Sequence, residues 1–339
     1  MVEGYSNGEI KVLSLPEAVR KRPGMYFGDI NSLAVNAAIY EAIANSIDQY
    51  LSGKATKVKV EIVEGVVTVL DDGSGLPFDE PATDGSSLNL AEFYFLHRHN
   101  SPTADNHAPH IHIIGGGLGL AVVNAASEWI EVKSSNGKLL YNQEFGKGEA
   151  KTKSSIEEFE SECGTELRFK LDSELFQQYQ PDISELRKTL FELAHFYPGL
   201  IIEFQNERFV SERGLLDLAY IWYSKPPAAW SQEPPVGFYF EGQKDNIQIQ
   251  LATLGSDKEA EIKSWVNGVE TVEGGSHITG LYKAFDNVDW TPRIALLLVI
   301  MHDPQFAAPS RDKLCHSESA QVVEELVTES LSKFKNGRA

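Results

Sequence analysis

Cysteine is scarce: only Cys163 and Cys315 occur in 339 residues, too few for a disulfide framework. No apolar signal segment follows Met1, and the longest strongly apolar run, Ile294–Met301, is far too short to span a bilayer. The expectation is a soluble, cytoplasmic chain with no membrane contact. Basic charge is also in short supply. Lys and Arg number 30 against 49 Asp and Glu, a formal net charge of −19. The deficit is spread along the chain, with 18 basic against 31 acidic residues in 1–210 and 12 against 18 in 211–339. Neither part carries the basic footprint of an independent duplex-binding module, so DNA binding by this chain alone is expected to be weak or absent. Internal repeats and low-complexity tracts are lacking too. The apolar fraction is 42%, enough for sizeable packed cores and against general disorder.

The length suits two domains of ordinary size. Residues 35–52 read as a helix, followed by strands at 57–63 and 66–70 joined by Glu64-Gly65, a short hairpin signal. A turn, DDGSGLP, occupies 71–77, and a helix is expected at 88–97. A Gly/Pro/His-rich stretch over 98–117 precedes a second helix from about Leu118. Strands at 129–134, 139–145, 165–170 and 200–204 and a helix at 182–194 complete an α+β sandwich of one mixed sheet with helices on one face. The prolines of KPPAAWSQEPP mark a boundary, which the pattern allows anywhere between about 205 and 232. We set the domains at 1–220 and 221–339. The second is expected to be α/β, with strands at 236–241, 247–254 and 261–266, a Gly-rich loop and helix at 273–285, a buried strand at 293–301 and a helix at 317–334.

Three segments carry chemistry. On the first helix, Ile39, Ile43, Ile47 and Tyr50 fall on one side and Glu41, Asn45 and Asp48 on the other. The plain reading is a solvated polar face, although Asn is a poor helix-interior residue unless it has a task. DDGSGLP then places an acid pair at a strand end, before two glycines that permit close backbone approach. Finally, IIGGGLGLAVVNA runs from a glycine cluster directly into an apolar helix, where backbone N–H groups suit a phosphate-sized anion. Each is weak alone. In this order, with Cys163-Gly164-Thr165 before a strand, they form a specific combination.

That combination resembles a known family. IKVLSLPEAVRKRPGMYFGD, EAIANSIDQYLSG, DDGSGLP, GGGLGLAVVNAAS and GTELRF look like the ATPase domain of DNA gyrase B and its topoisomerase IV counterpart, of the GHKL superfamily with the Bergerat fold. WVNGVETVEGGSHITGLYKAF and DPQFAAPSRDKL resemble its transducer domain, a ribosomal S5 domain 2-like unit, so the likeness covers nearly the whole chain. It implies an ATPase using ATP and Mg²⁺. Glu41 would be the general base and Asn45 the Mg²⁺ ligand. Asp71 would accept from the adenine amino group, with Thr165 in support through a water, and Gly75 would let the base pass close to the backbone. Gly115, Gly116, Gly117, Leu118 and Gly119 would form the phosphate end of a lid. Arg311 would reach the γ-phosphate. Tyr5 and Ile10 match an arm that embraces a partner's nucleotide, implying a homodimer on ATP binding; a frayed terminus is the plainer reading of that arm.

The sequence also departs from the family. Ala37 stands where a His precedes the base, and Gln49 and Ser74 replace an acid–Arg pair at the adenine rim, where aminocoumarins pack. The lid Lys is replaced near Ser101, in a stretch holding His97, Arg98, His99, His107, His110 and His112. These are read as a solvated lid, with a phosphate contact or a metal site as alternatives. In APSRDKL, Pro309 and Arg311 take the positions of Gln and Lys. The short segment between Phe285 and Arg293, the polar KNGRA end and the lack of any TOPRIM-like or catalytic-tyrosine segment lead us to expect a stand-alone form whose DNA chemistry lies in a separate partner. Two functions remain open. One is a slow ATPase acting as an ATP-operated dimerisation clamp in a DNA transaction. The other is a nucleotide-responsive binding or regulatory module with little turnover.

Overall fold

A computed structural model describes residues 12–82, 84–97, 119–160, 162–177, 179–223, 237–255, 260–308 and 310–337. The chain opens with α1 (Leu15–Lys21), started by a reciprocal capping box between Ser14 and Glu17, and α2 (Gly24–Phe27). The long α3 (Ser32–Leu51) begins three residues before the expected start. Asn31 caps it there, its side chain accepting from the Leu33 and Ala34 amides. Strands β1 (Lys57–Val63) and β2 (Val66–Asp71) form the expected hairpin, with Glu64 and Gly65 both at positive φ (51° and 78°), as a tight primed turn requires.

Helices α4 (Leu90–Leu96) and α5 (Leu120–Ala126) follow, then β3 (Ser127–Ser135), β4 (Leu139–Gly146), β5 (Glu149–Ala150), β6 (Ser155–Glu158) and β7 (Gly164–Leu171). After α6 (Ser173–Phe176) and α7 (Ile183–Phe196) come β8 (Ile201–Phe204) and β9 (Glu207–Phe209). Among the described residues these strands make one nine-stranded mixed sheet, ordered β5-β4-β3-β7-β2-β1-β8-β9, with β6 paired to β4.

Register decides which side chains meet. The row Ile62–Val67–Phe169–Ile130–Phe145 crosses five strands, and Val60–Val69–Leu167–Val132 runs beside it. Both rows pack under Ile39, Ile43 and Ile47 of α3, Val122 and Val123 of α5, and Leu186 and Leu190 of α7. One position further, the same face carries Val58–Asp71–Thr165–Ser134. The alternation is unbroken, so this polar stretch sits at the end of an otherwise apolar face. The opposite face is wet and lined by ion pairs such as Arg168–Glu131 (2.6 Å), whose exposure makes each worth about 0–1 kcal/mol.

A second sheet follows α8 (Leu215–Tyr223). It contains β10 (Gly237–Lys244), β11 (Ile247–Leu254), β12 (Glu261–Val266), β13 (Val269–Glu270) and β14 (Ile294–Met301), ordered β10-β11-β14-β12-β13, with α9 (Ser276–Asn287) and α10 (Ser317–Asn336) against it. The apolar run in β14 now has its reason. Ala295, Leu297, Val299 and Met301 pack with α9 and α10, while Ile294, Leu296, Leu298 and Ile300 join the core of the first sheet. A strand buried on both faces reads as a continuous apolar run.

Trp265 of β12 meets Phe196 of α7 (ring centroids 4.7 Å), and the Gln250 amide donates to the Phe196 carbonyl (3.3 Å), so the two sheets share packing through α7. The expected division after residue 220 falls inside α8. No described helix is long and apolar enough to cross a membrane.

Candidate functional site

Glu41 and Asn45 are one turn apart on α3, on the face turned away from its isoleucines. That face is not simply solvated: Glu41 is only 9% exposed, while Asn45 is exposed. The Asn45 amide nitrogen donates to the Glu41 carbonyl (2.7 Å), which leaves Oδ1 as the other end of its amide. The Gly119 N–H donates to Glu41 Oε2 (2.8 Å). Gly119 sits at φ 73° as the N-cap of α5, a conformation that suits a residue without Cβ. Gly115, Gly116, Gly117, Leu118, the arm residues Tyr5 and Ile10, Pro309, Ser101 and the lid residues Arg98, His99, His107, His110 and His112 lie outside the described residues. His97 is described and stacks on Phe93 (4.7 Å).

The adjacent acids Asp71 and Asp72 have opposite environments. Asp71 is 8% exposed at the end of β2. It accepts from Ser46 Oγ (2.8 Å) and the Gly73 amide (2.9 Å), and burial raises its pKa despite these bonds and one from the Thr165 amide. Asp72 ties down the start of β1, accepting from the Thr56 amide (2.7 Å), the Thr56 hydroxyl and the Lys57 amide (2.8 Å). Partial burial opposes its ionisation, but these donors leave its pKa lowered. Two neighbouring carboxyls pushed apart in this way divide the work. Asp72 is a structural anchor, and Asp71 is the desolvated acceptor a ligand can use.

Thr165 lies directly across from Asp71 on β7. Ser134, next across on β3, has its hydroxyl 3.0 Å from Thr165 Oγ1 and accepts from the Leu76 amide (2.7 Å). Gly75 is at φ 81°, and a Cβ there would come within 2.5 Å of the Ser135 carbonyl oxygen. The DDGSGLP turn therefore lies flat against β3 only because position 75 is glycine. At the rim, Gln49 Oε1 accepts from the Ser74 amide (3.2 Å) and hydroxyl (3.0 Å). The two departures from the family form a neutral pair with each other.

Arg311 enters from the second sheet's side. It is half-buried, adopts φ 62° and lies over the Phe306 ring (5.6 Å to the centroid). Burial lowers its pKa, and the negative charge of Glu41 acts in the opposite sense. An arginine stays charged under that pressure, so Arg311, in the segment between β14 and α10, and Glu41, on α3, are electrostatic neighbours. A cavity of 830 Å³ lies elsewhere, between the start of α3, α7 and Trp265, and it reaches the Glu41 face only at Ala37.

Ser46 and Ser134 were missed by sequence reasoning. Ser46 follows Asn45 directly and is buried at 2%, and Ser134 continues the inward alternation of Ile130 and Val132. A polar residue at an inward strand position was the available signal.

The sequence and the fold are similar to those of known proteins. Residues 30–175 match the family of histidine kinase-, DNA gyrase B- and HSP90-like ATPases. Over nearly its whole length the chain is similar to the ATPase region of DNA gyrase B. It is 29% identical over 368 residues to the Borreliella burgdorferi protein (98% of this chain, 56% of the relative). It is 30% identical over 371 residues to that of Thermotoga maritima (98% and 57%). The chain thus spans just over half the length of these relatives. Among solved structures, the 43K ATPase domain of Thermus thermophilus gyrase B, in complex with an aminocoumarin, is 26% identical with a TM-score of 0.79, covering 98% of this chain and 93% of that one. The topoisomerase IV ATP-binding domain of Francisella tularensis, at 23% identity and a TM-score of 0.73, shares the fold over 95% of this chain and 93% of its own.

Proposed function

We propose that this protein binds ATP with Mg²⁺ and hydrolyses it slowly, as an ATP-operated dimerisation clamp working with a DNA-processing partner. The observation that carries this reading is Glu41 held by the Gly119 amide at the start of α5, with Asn45 one turn on and Arg311, from the segment after β14, in its electrostatic reach. The second unit, set at residues 221–339 from sequence, is best taken with α8 included, since that helix packs on β11.

The residues fit their roles chemically. The side-chain Oδ1 of the exposed Asn45 is a hard oxygen donor. A single protein ligand suits Mg²⁺, which keeps several waters and takes phosphate oxygens. When bound there the ion supplies charge neutralisation at the phosphates. Glu41, little exposed beside the phosphate-facing glycine, takes a proton from the attacking water. Arg311 faces the charge that develops on the transferred group. Asp71 accepts from the exocyclic amine of adenine, Thr165 stands beside it, and Gly75 keeps the turn flat under the base. Gly115, Gly116, Gly117 and Leu118 continue from Gly119 as the lid.

A second reading, a nucleotide-responsive binding module with little turnover, is favoured by two features around the base. Ala37 offers no polar group one turn before Glu41, and one carboxylate oxygen already serves the Gly119 amide.

Phosphate release by the purified chain, with Mg²⁺ and with a chelator in its place, tests the proposal. Calorimetry runs alongside to measure ATP binding. Magnesium-dependent release supports the ATPase. Binding without release leaves the module, and no ATP binding sinks both.

A further inference from the structure

We propose that Ser134 is a positioning residue for purine choice, acting by fixing the direction of the Thr165 hydroxyl. The inference rests on the reading of Asp71 and Thr165 as the base-recognition pair. Ser134 is 1% exposed and has three polar neighbours: the Leu76 amide (2.7 Å), Thr165 Oγ1 (3.0 Å) and the Gly164 carbonyl (3.3 Å). A serine hydroxyl has one proton and two lone pairs. An amide N–H only donates, so the shortest of the three contacts occupies a lone pair of Ser134. Its single proton then has two acceptors to choose between, and the nearer is Thr165 Oγ1.

If Thr165 receives that proton, its own hydroxyl hydrogen is left to point elsewhere. Its neighbour across the β2–β7 ladder is Asp71, an acceptor when ionised. The pair then offers an acceptor beside a donor, directly or through one water. The edge of adenine carries the complement, an amino donor beside the N1 acceptor. Hypoxanthine carries the reverse, a carbonyl acceptor beside an N1–H donor. Buried polar groups left facing the wrong partner are costly, so the orientation of one hydroxyl discriminates between the two bases.

The test compares ATP and inosine triphosphate by calorimetry in the intact chain and in Ser134→Ala, Thr165→Val and the double variant. The unmodified protein should prefer ATP. Loss of a neutral hydrogen bond corresponds to about three- to tenfold, so Ser134→Ala should cut the ATP-to-inosine ratio by about that factor. Ser134→Thr should restore it. In the Thr165→Val background the Ser134→Ala effect should vanish, because the group through which Ser134 acts is gone. A Ser134→Ala variant that melts earlier but keeps the full ratio makes Ser134 a brace for the Leu76 turn and overturns the proposal. An effect that persists undiminished beside Thr165→Val overturns it as well. Absence of ATP binding by the unmodified protein defeats the underlying site reading instead, and this inference with it.

Discussion

Gly119 at the start of α5 holds the carboxylate of Glu41 through a 2.8 Å hydrogen bond, joining two segments 78 residues apart in the chain. The candidate base is therefore oriented by the glycine segment that would carry the phosphates. Its position depends on how that segment sits.

Glu41→Gln keeps an oxygen for the Gly119 amide but cannot take a proton from water. Since a general base contributes about 10²–10⁴-fold, ATP hydrolysis should fall by at least two orders of magnitude while ATP affinity, followed by calorimetry, stays within a few-fold. A merely few-fold loss of rate would remove Glu41 from the role of base.

Asp71→Asn should separate stability from binding. Burial raises the Asp71 pKa above 3.8, so the folded chain holds a proton at pH values where the unfolded chain has released it. The folded state binds more protons in that window, and stability therefore falls as pH rises from about 3.8 through the raised value. At neutral pH the ionised carboxylate is a net cost to the fold, and the neutral amide should leave the nucleotide-free protein equally or more heat-stable. Hydrogen bonds to charged groups are worth about 1.5–3 kcal/mol, so ATP affinity should drop by about ten- to a hundredfold. Thermal melting and calorimetry on one sample check both arms. Undiminished affinity would displace Asp71 from the base pocket.

Much of this was legible in sequence because it is local. The Glu64-Gly65 hairpin, the continuous apolar run of β14 and the apolar face of α3 each follow from neighbours within a few residues. What escaped depends on register between distant strands. Nothing near Ser134 shows that β7 will bring Thr165 opposite it, and nothing near Arg311 shows that it will lie in the field of Glu41. The low exposure of Glu41 was hidden for the same reason, since its partner belongs to a helix that starts 79 residues later. Helix α8 was missed because Leu215–Tyr223 is apolar on most sides and gives no amphipathic stripe.

His277, in α9 of the second sheet's core, should make the protein acid-sensitive. It is fully buried, and burial brings its pKa down from 6.5 to about 4. Between those values the unfolded chain takes up a proton that the folded chain refuses, so stability is lost as pH falls through that window. The expected loss from this group between pH 7 and pH 4.5 is about 2 kcal/mol. His277→Leu should flatten that part of the pH dependence, read from urea unfolding at the two pH values. A variant with the same acid sensitivity as the parent would assign the loss to other groups.

The clamp reading makes its sharpest claim about assembly. A non-hydrolysable ATP analogue should convert the protein from monomer to dimer, ADP should not, and Arg311→Ala should blunt the difference between them. Tyr5 and Ile10 are bulky residues in an otherwise polar, glycine-containing stretch, VEGYSNGEIKV. Burying each on a partner contributes about 1.5–3 kcal/mol, set against the entropy of ordering the arm. The balance is close, so a ligand can tip it. ATP does so if its bound form closes the docking surface, in which case nucleotide binding and dimerisation strengthen each other by the same factor. Arg311 is the group that can distinguish ATP from ADP, because it lies near Glu41 while anchored on Phe306 of the second unit. Deleting the arm should abolish the dimer without weakening the first ATP-binding event. Sedimentation of the intact, arm-deleted and Arg311→Ala proteins under saturating analogue and ADP decides between the two functions. If the intact protein stays monomeric with the analogue bound, the clamp is wrong and the binding module remains.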